Sequence, residues 1–254
     1  MLFDSHAHLD NVRFNDDLEE VIKRARENGV TGIINAGACM ESSAASIRLA
    51  EQYDSIYAAV GVHPHDVKDI KPGDYDQLAE WTKHPKVVAI GEIGLDYYYN
   101  HSPKEVQHQA LIAQIDVARQ TGMPIIIHDR DAHGDVLQII KKEAKGLTGV
   151  FHCFSGSMEM MREVVAMGFY AAFGGSVTFK NAAKLPAIAA AVPLERLLLE
   201  TDCPYLTPEP KRGRRNEPAH VKYVAEYIAK LRNMEFTALA EATTDNAKRL
   251  FGID

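Results

Sequence analysis

The feature that most constrains this chain is an alternation. Eight short apolar runs recur along it, at Leu2–Ser5, Gly32–Asn35, Ile56–Val60, Val87–Gly91, Pro124–Ile127, Gly149–His152, Phe169–Phe173 and Arg196–Leu199. Between them lie helical patterns near Asp17–Asn28, Glu41–Tyr53, Tyr75–Lys83, Pro103–Gln120, Asp131–Glu143, Met158–Met167 and Ala182–Ala191. Two more follow, near Ala219–Leu231 and Phe236–Leu250. Strands separated by helices run parallel, and eight is the count that closes into a barrel. The expectation is an α/β, single-domain TIM (β/α)8 barrel over residues 1–254, with an open doubly wound sheet as the alternative. An open sheet of that kind brings a Gly-rich phosphate turn after its first strand. Here His6-Ala7-His8 stands in its place.

Nothing in the remaining composition divides or redirects that barrel. The 254 residues match the roughly 250 that one such barrel needs, and no Pro/Gly/Ser linker or low-complexity tract interrupts them. No apolar run reaches the roughly 18 residues of a membrane span, and Met1-Leu2-Phe3-Asp4 does not open a secretory leader. Cys39, Cys153 and Cys203 are too few and too scattered for a disulfide framework, so a cytoplasmic, reducing setting is expected. A net charge of −7 argues against a protein that coats nucleic acid nonspecifically, yet leaves room for a local cationic site. Local signals support the helices. Before the fourth, Ser102 is expected to cap the first turn with Glu105 completing a capping box, and Gly122 to end it.

The chemistry collects at the strand ends. His6 and His8 close the first run two residues apart, so on an extended backbone both imidazoles face the same side. Glu92 ends the fourth run, His128 the fifth and His152 the sixth, and Asp202 follows the eighth. In a barrel these ends share one mouth, where barrel enzymes hold their active sites. Four imidazoles and two carboxylates gathered there read as a divalent-metal site. A single catalytic zinc takes three protein ligands, so this set is expected to hold two ions, with Glu92 as the candidate bridge. His63 follows the third strand at the same mouth and is a candidate contact for substrate or for a catalytic water.

These residues sit in motifs that resemble the TatD family of metal-dependent deoxyribonucleases, members of the amidohydrolase superfamily. The stretches that carry the resemblance are Asp4-Ser5-His6-Ala7-His8-Leu9-Asp10, Gly61-Val62-His63-Pro64 and Gly91-Glu92-Ile93-Gly94-Leu95-Asp96-Tyr97. Further along come His128-Asp129-Arg130-Asp131-Ala132, Phe151-His152-Cys153-Phe154-Ser155-Gly156 and Glu200-Thr201-Asp202-Cys203-Pro204-Tyr205-Leu206. The resemblance implies a TIM barrel with His6, His8, Glu92, His128, His152 and Asp202 as metal ligands. It also implies Mg²⁺- or Mn²⁺-supported DNase activity, as removal of nucleotides from 3′ ends of single-stranded DNA. Cys203 departs from the small Ser or Ala usual after the aspartate; if Asp202 faces the mouth, Cys203 faces away. Histidine-rich ligation also suits Zn²⁺.

The expected chemistry is phosphodiester hydrolysis by a metal-activated water, with Asp202 accepting the proton and Glu92 and His63 completing the catalytic group. Lys211-Arg212-Gly213-Arg214-Arg215-Asn216 follows the eighth strand, where barrels commonly bind phosphate. Arg212, Arg215 and Asn216 are therefore candidate substrate contacts. Tyr97, within Tyr97-Tyr98-Tyr99, is a candidate platform for an unpaired base, as are Phe154 and Tyr205. The expected partner is DNA, with neither a membrane nor an obligate protein partner. An amidohydrolase or esterase acting on a small carbonyl substrate is the alternative, since the same activated water attacks carbon as readily. Arginines close to the metals would favour phosphate, and a closed apolar pocket the carbonyl compound.

Overall fold

In the computed structural model, which describes Met1–Asp254, each apolar run becomes a strand. In chain order the elements are β1 (Leu2–Ala7), α1 (Leu18–Glu27), β2 (Val30–Ala36), α2 (Met40–Gln52), β3 (Ile56–Val60), α3 (Pro72–Trp81), β4 (Val87–Asp96) and α4 (Lys104–Thr121). They continue with β5 (Ile125–Arg130), α5 (His133–Glu143), β6 (Gly149–Phe151), α6 (Met158–Ala166), β7 (Tyr170–Phe173), α7 (Leu185–Ala191), β8 (Leu197–Leu199), α8 (Val221–Leu231) and α9 (Phe236–Phe251). All eight strands pair in parallel, in sequence order. The two outer strands then meet at the mouth: His8 N–H donates to Cys203 O and Asp202 N–H to His6 O, each at 2.9 Å. An open sheet would leave those edges unpaired. The chain is a (β/α)8 barrel.

Strand alternation sorts the apolar residues into two layers. A cluster with members from every strand, among them Phe3, Ile34, Ala59, Ala89, Ile126, Val150, Ala172 and Leu198, fills the barrel interior. Ala247, Leu250 and Phe251 of α9 join it, while Thr244 and Asn246 bond the carbonyls of Met1 and Leu197. That places α9 across the end where the strands begin. The intervening strand residues, such as Ile33, Ile56, Ile90 and Ile127, face the ring of helices in a second, larger cluster. Both faces are buried, which is why these strands read as continuous apolar runs.

Two bulges decide what reaches the mouth. On β1, Asp4 pairs with Ile33 but Ala7 with Asn35, so three residues advance against two. On β4, Ile90 pairs with Ile125 and Ile93 with Ile127, again three against two. Each extra residue reverses the alternation. Phe3 and Ala89 point inward, and beyond the bulges it is His6, His8, Glu92, Gly94 and Asp96 that do. β5 needs no bulge, since Ile126, His128 and Arg130 share one parity throughout. β4 also runs five residues past the expected end at Gly91. Gly94 makes this possible: its φ is +153°, and a Cβ there would lie 1.9 Å from His128 O.

One local expectation fails. Pro103, not Ser102, occupies the N-cap of α4 and makes no side-chain cap bond. Ser102 is buried, donating its hydroxyl to His65 O at 2.9 Å and accepting from Lys68 N–H at 3.2 Å. The bonds to the loop after β3 take the hydroxyl that the capping box needed. Gly122 does close α4, at φ +71°.

Candidate metal centre

His6, His8, Glu92, His128, His152 and Asp202 converge at the mouth. Glu92 sits in the middle and divides its two oxygens. Oε1 lies 2.7 Å from His128 Nδ1 and 2.8 Å from His152 Nε2. Oε2 lies 3.3 Å from His6 Nε2 and 3.6 Å from His8 Nε2. Asp202 Oδ1 approaches the second group, 3.4 Å from His8 Nε2 and 3.8 Å from His6 Nε2. Asp202 is held there at φ +56°, a left-handed conformation that costs a non-glycine residue about 1 kcal/mol or more. One of the two backbone bonds that join β1 to the segment after β8 is made by this same residue, and the other by its neighbour Cys203. Closing the barrel and placing the carboxylate are one event.

The outer hydrogen bonds set which imidazole nitrogen faces the centre. His8 Nδ1 lies 3.0 Å from Ala36 O, a pure acceptor, so Nδ1 carries the hydrogen and neutral His8 presents a lone pair on Nε2. His128 Nε2 lies 3.2 Å from Asp96 Oδ2, which turns the Nδ1 lone pair toward Glu92 and His152. Convergent nitrogens then stand 3.2 Å apart between His6 and His8, and 3.1 Å apart between His128 and His152. Facing lone pairs at that separation repel unless a proton or a cation lies between them. Imidazole and carboxylate donors arranged this way fit divalent ions.

His63 behaves differently. Its Nδ1 accepts the backbone N–H of His65 at 3.1 Å, so neutral His63 carries its hydrogen on Nε2, 3.4 Å from Glu92 Oε1. Burial outweighs the nearby Glu92 charge and lowers its pKa to about 4. It is thus a neutral donor aimed into the centre, with no lone pair to offer there.

The protons respond to the same geometry. His6 is lowered to about 4, first by burial and then by the neighbouring His152. For His8, burial is outweighed by the hydrogen bond to Asp202 and the charge of Glu92, and the pKa rises to about 9. His128 also rises to about 9 against burial, through hydrogen bonds to Asp96 and Glu92. Burial pushes the Glu92 carboxyl upward, but the surrounding histidines together hold it well below its ordinary value.

Asp96 and His65 have places at the mouth that the strand pattern did not reveal. Asp96 is buried on the extension of β4, and its Oδ2 meets His65 Nε2 at 2.8 Å as well as His128. The signal was present in Gly91–Asp96, but ending the strand at Gly91 hid it. A cavity of about 710 Å³, lined mainly by polar and charged residues, opens above the centre. Tyr99, Arg130 and Tyr205 line it; Tyr97, Phe154 and the Lys211–Arg215 loop do not.

Of the expected substrate contacts, Tyr205 lines this cavity and the others have their partners elsewhere. Tyr97 lies just past Asp96 with the opposite parity, and its hydroxyl donates to Asp135 Oδ2 at 2.6 Å beneath Lys104. Phe154 is buried against Phe173. Arg215 clasps Asp17 through both terminal nitrogens, at 2.8 and 2.7 Å, and lies over Phe14. Arg212 rests over the ring of Phe179 and donates to Thr207 O. Asn216 is fully buried, donating to Thr201 O and Tyr205 O and accepting from Glu217 N–H. It clamps the turn after Asp202. Cys203 is buried within the larger apolar cluster.

With the geometry in view, likeness to known proteins is informative. Residues 3–252 match the family described as TatD related DNase. The chain is 50% identical over its whole length to a Bacillus subtilis protein named uncharacterized metal-dependent hydrolase YabD, whose full length is also covered. It is 38% identical to the 3'-5' ssDNA/RNA exonuclease TatD of Escherichia coli K12, over 99% of each chain. Among solved structures it resembles the Escherichia coli TatD homologue YjjV, at 32% identity and a TM-score of 0.93, covering 100% of this chain and 98% of that one. From barrel to motif the likeness runs end to end, and the chain belongs to the TatD-related DNase family.

Proposed function

We propose that this chain is a divalent-metal-dependent phosphodiesterase of one catalytic domain, residues 1–254, that trims single-stranded DNA from its 3′ end. The observation that carries the reading is the division of Glu92: one oxygen faces His128 and His152, the other His6 and His8, with Asp202 closing the second group. A carboxylate between two donor groups suits a pair of ions sharing it. Mg²⁺ or Mn²⁺ would support activity, and Zn²⁺ suits the histidines. Such ions, when bound, supply Lewis acidity that acidifies water and neutralises phosphoryl oxygens.

The chain's own groups do the rest. Asp202 accepts the proton of the attacking water at Oδ1, and its strained backbone keeps that oxygen directed into the mouth. His63 donates from Nε2 to a phosphoryl oxygen, its hydrogen held on that nitrogen because Nδ1 accepts the His65 backbone N–H. Asp96 holds His128 in the orientation the centre needs. The three free cysteines fit a reducing, cytoplasmic setting. The open cavity, lined mainly by polar and charged residues and bearing an arginine, suits phosphate better than a small carbonyl substrate. A relative named as a single-strand DNA/RNA exonuclease supports the substrate class.

The test is hydrolysis by stripped protein, with single-stranded DNA and simple carboxyl esters side by side. Chelator should abolish DNA cleavage and Mg²⁺ or Mn²⁺ restore it. Full activity in excess chelator, or preference for the ester, would overturn the proposal.

A further inference from the structure

Arg130 ends β5 two residues beyond His128. Strand alternation sends both side chains into the mouth, about 6.6 Å apart along the strand. It is the one lysine or arginine lining the mouth cavity. Asp10, Asp66 and Asp96 line the same cavity, yet Arg130 forms no ion pair with them; Asp96 is engaged by His65 and His128 instead. The guanidinium carbon lies 4.2 Å from the centre of the Tyr98 ring and 4.7 Å from that of Tyr99. Contact with aromatic faces holds a guanidinium without consuming its N–H donors. Arg24 and Arg215 share Asp17, and Arg232 donates to three backbone carbonyls. Arg130 keeps its whole fork free, beside the groups that converge on Glu92.

We propose that Arg130 is a specificity-determining residue that binds the phosphate flanking the scissile linkage of a nucleic-acid strand. The inference rests on the phosphodiesterase reading above and adds to it the residue that reads the anion. A forked donor of fixed positive charge matches two oxygens of a phosphodiester, and Tyr98 and Tyr99 hold it in place before the strand arrives. A small neutral carbonyl compound has no group for it. The role is in binding, so it belongs in KM and in salt dependence.

The experiment compares the metal-loaded wild type with Arg130→Ala and Arg130→Lys on a fluorescent oligothymidylate. A second strand carries an uncharged methylphosphonate at the linkage beside the one cleaved. Arg130→Ala should raise KM for the natural strand about tenfold while kcat stays within about twofold. Arg130→Lys should fall between, keeping the charge but losing the fork. Neutralising the linkage should cost the wild type a similar factor and cost Arg130→Ala nothing further, the signature of a direct pair. Strand binding in Ca²⁺ should show a log K against log salt slope about 0.7 shallower for Arg130→Ala.

A residue that only propped the tyrosine loop would lower the melting temperature and leave both the salt slope and the penalty for the neutral linkage intact; that result overturns the proposal. So does equal binding of the natural strand by wild type and Arg130→Ala in Ca²⁺. Failure of the wild type to cleave the natural strand would instead break the phosphodiesterase reading. The Ca²⁺ binding comparison decides Arg130 in either case.

Discussion

The barrel places two polar regions within a few residues of each other after β8, and they are built on opposite terms. In the Lys211–Asn216 loop three of the polar side chains are met from within the fold. Arg215 has Asp17, Arg212 has an aromatic face and a carbonyl, and Asn216 satisfies its amide inside the fold. At the mouth the needs stay open. Histidine nitrogens face one another at 3.1 and 3.2 Å, and Arg130 keeps its N–H edges free. A polar group answered by its own protein reports on architecture. One held in place and left unanswered reports on a ligand. By that standard Arg212, Arg215 and Asn216 serve the architecture of the loop, and a lone arginine on β5 is the better candidate for reading phosphate.

The largest effect should come from Glu92, the residue both halves of the mouth share. Glu92→Gln keeps its volume but removes its charge, and hydrolysis should fall about ten-thousandfold or more at any Mn²⁺ concentration. Near-normal turnover at high metal would show that the two histidine groups do not depend on a shared carboxylate. Asp202→Asn should lower kcat about a hundredfold to a thousandfold even with metal saturating, and alter the acidic limb of the pH–rate profile. Recovery of the wild-type rate on adding metal would reduce Asp202 to a ligand.

Proton release sharpens the same contrast. In the metal-free protein His8 and His128 hold their protons up to about 9, against an ordinary 6.5. Their contribution to the metal-free fold is therefore complete below 6.5 and lost as pH rises through about 9. Metal must displace those protons, so uptake at about pH 7.5 should release about two protons, and apparent affinity should climb until about pH 9. Calorimetry in buffers of different ionisation enthalpy counts them. No release would remove His8 and His128 from the ligand set.

Smaller effects are expected in the loop, and in stability more than in chemistry. Asn216→Ala leaves the buried carbonyl of Thr201 and the partly buried one of Tyr205 without their donor, and should cost about 1–3 kcal/mol in urea unfolding. Its kcat at a temperature where the variant stays folded should fall far less than that of Asp202→Asn. Arg215→Ala loses a half-exposed ion pair, worth less than about 1 kcal/mol, and should leave the KM for DNA unchanged. A rise in KM with a flattened salt slope would return the loop to the substrate site and break the comparison.

Much of this molecule is legible in one dimension. Apolar runs buried on both faces announce parallel strands, their number announces closure, and the histidines and acids at their ends mark one mouth. Those signals depend on residues near each other along the chain, where strand and helix periods act. What escaped depends on phase and distant contact. A period of two says that neighbours alternate but not which of them faces inward, and a single extra residue reverses the answer. The bulge on β4 does that, setting Asp96 in the mouth beside Glu92 while Tyr97 is turned out of it. The basic loop depends on distant contact in the same way. Whether an arginine is free depends on what stands opposite it, and for Arg215 that is Asp17, 198 positions away. A run of like charge gives no sign of such a partner. Only when the barrel closes do α1 and the loop after β8 come together, and only then does Arg130 stand as the one lysine or arginine lining the mouth cavity.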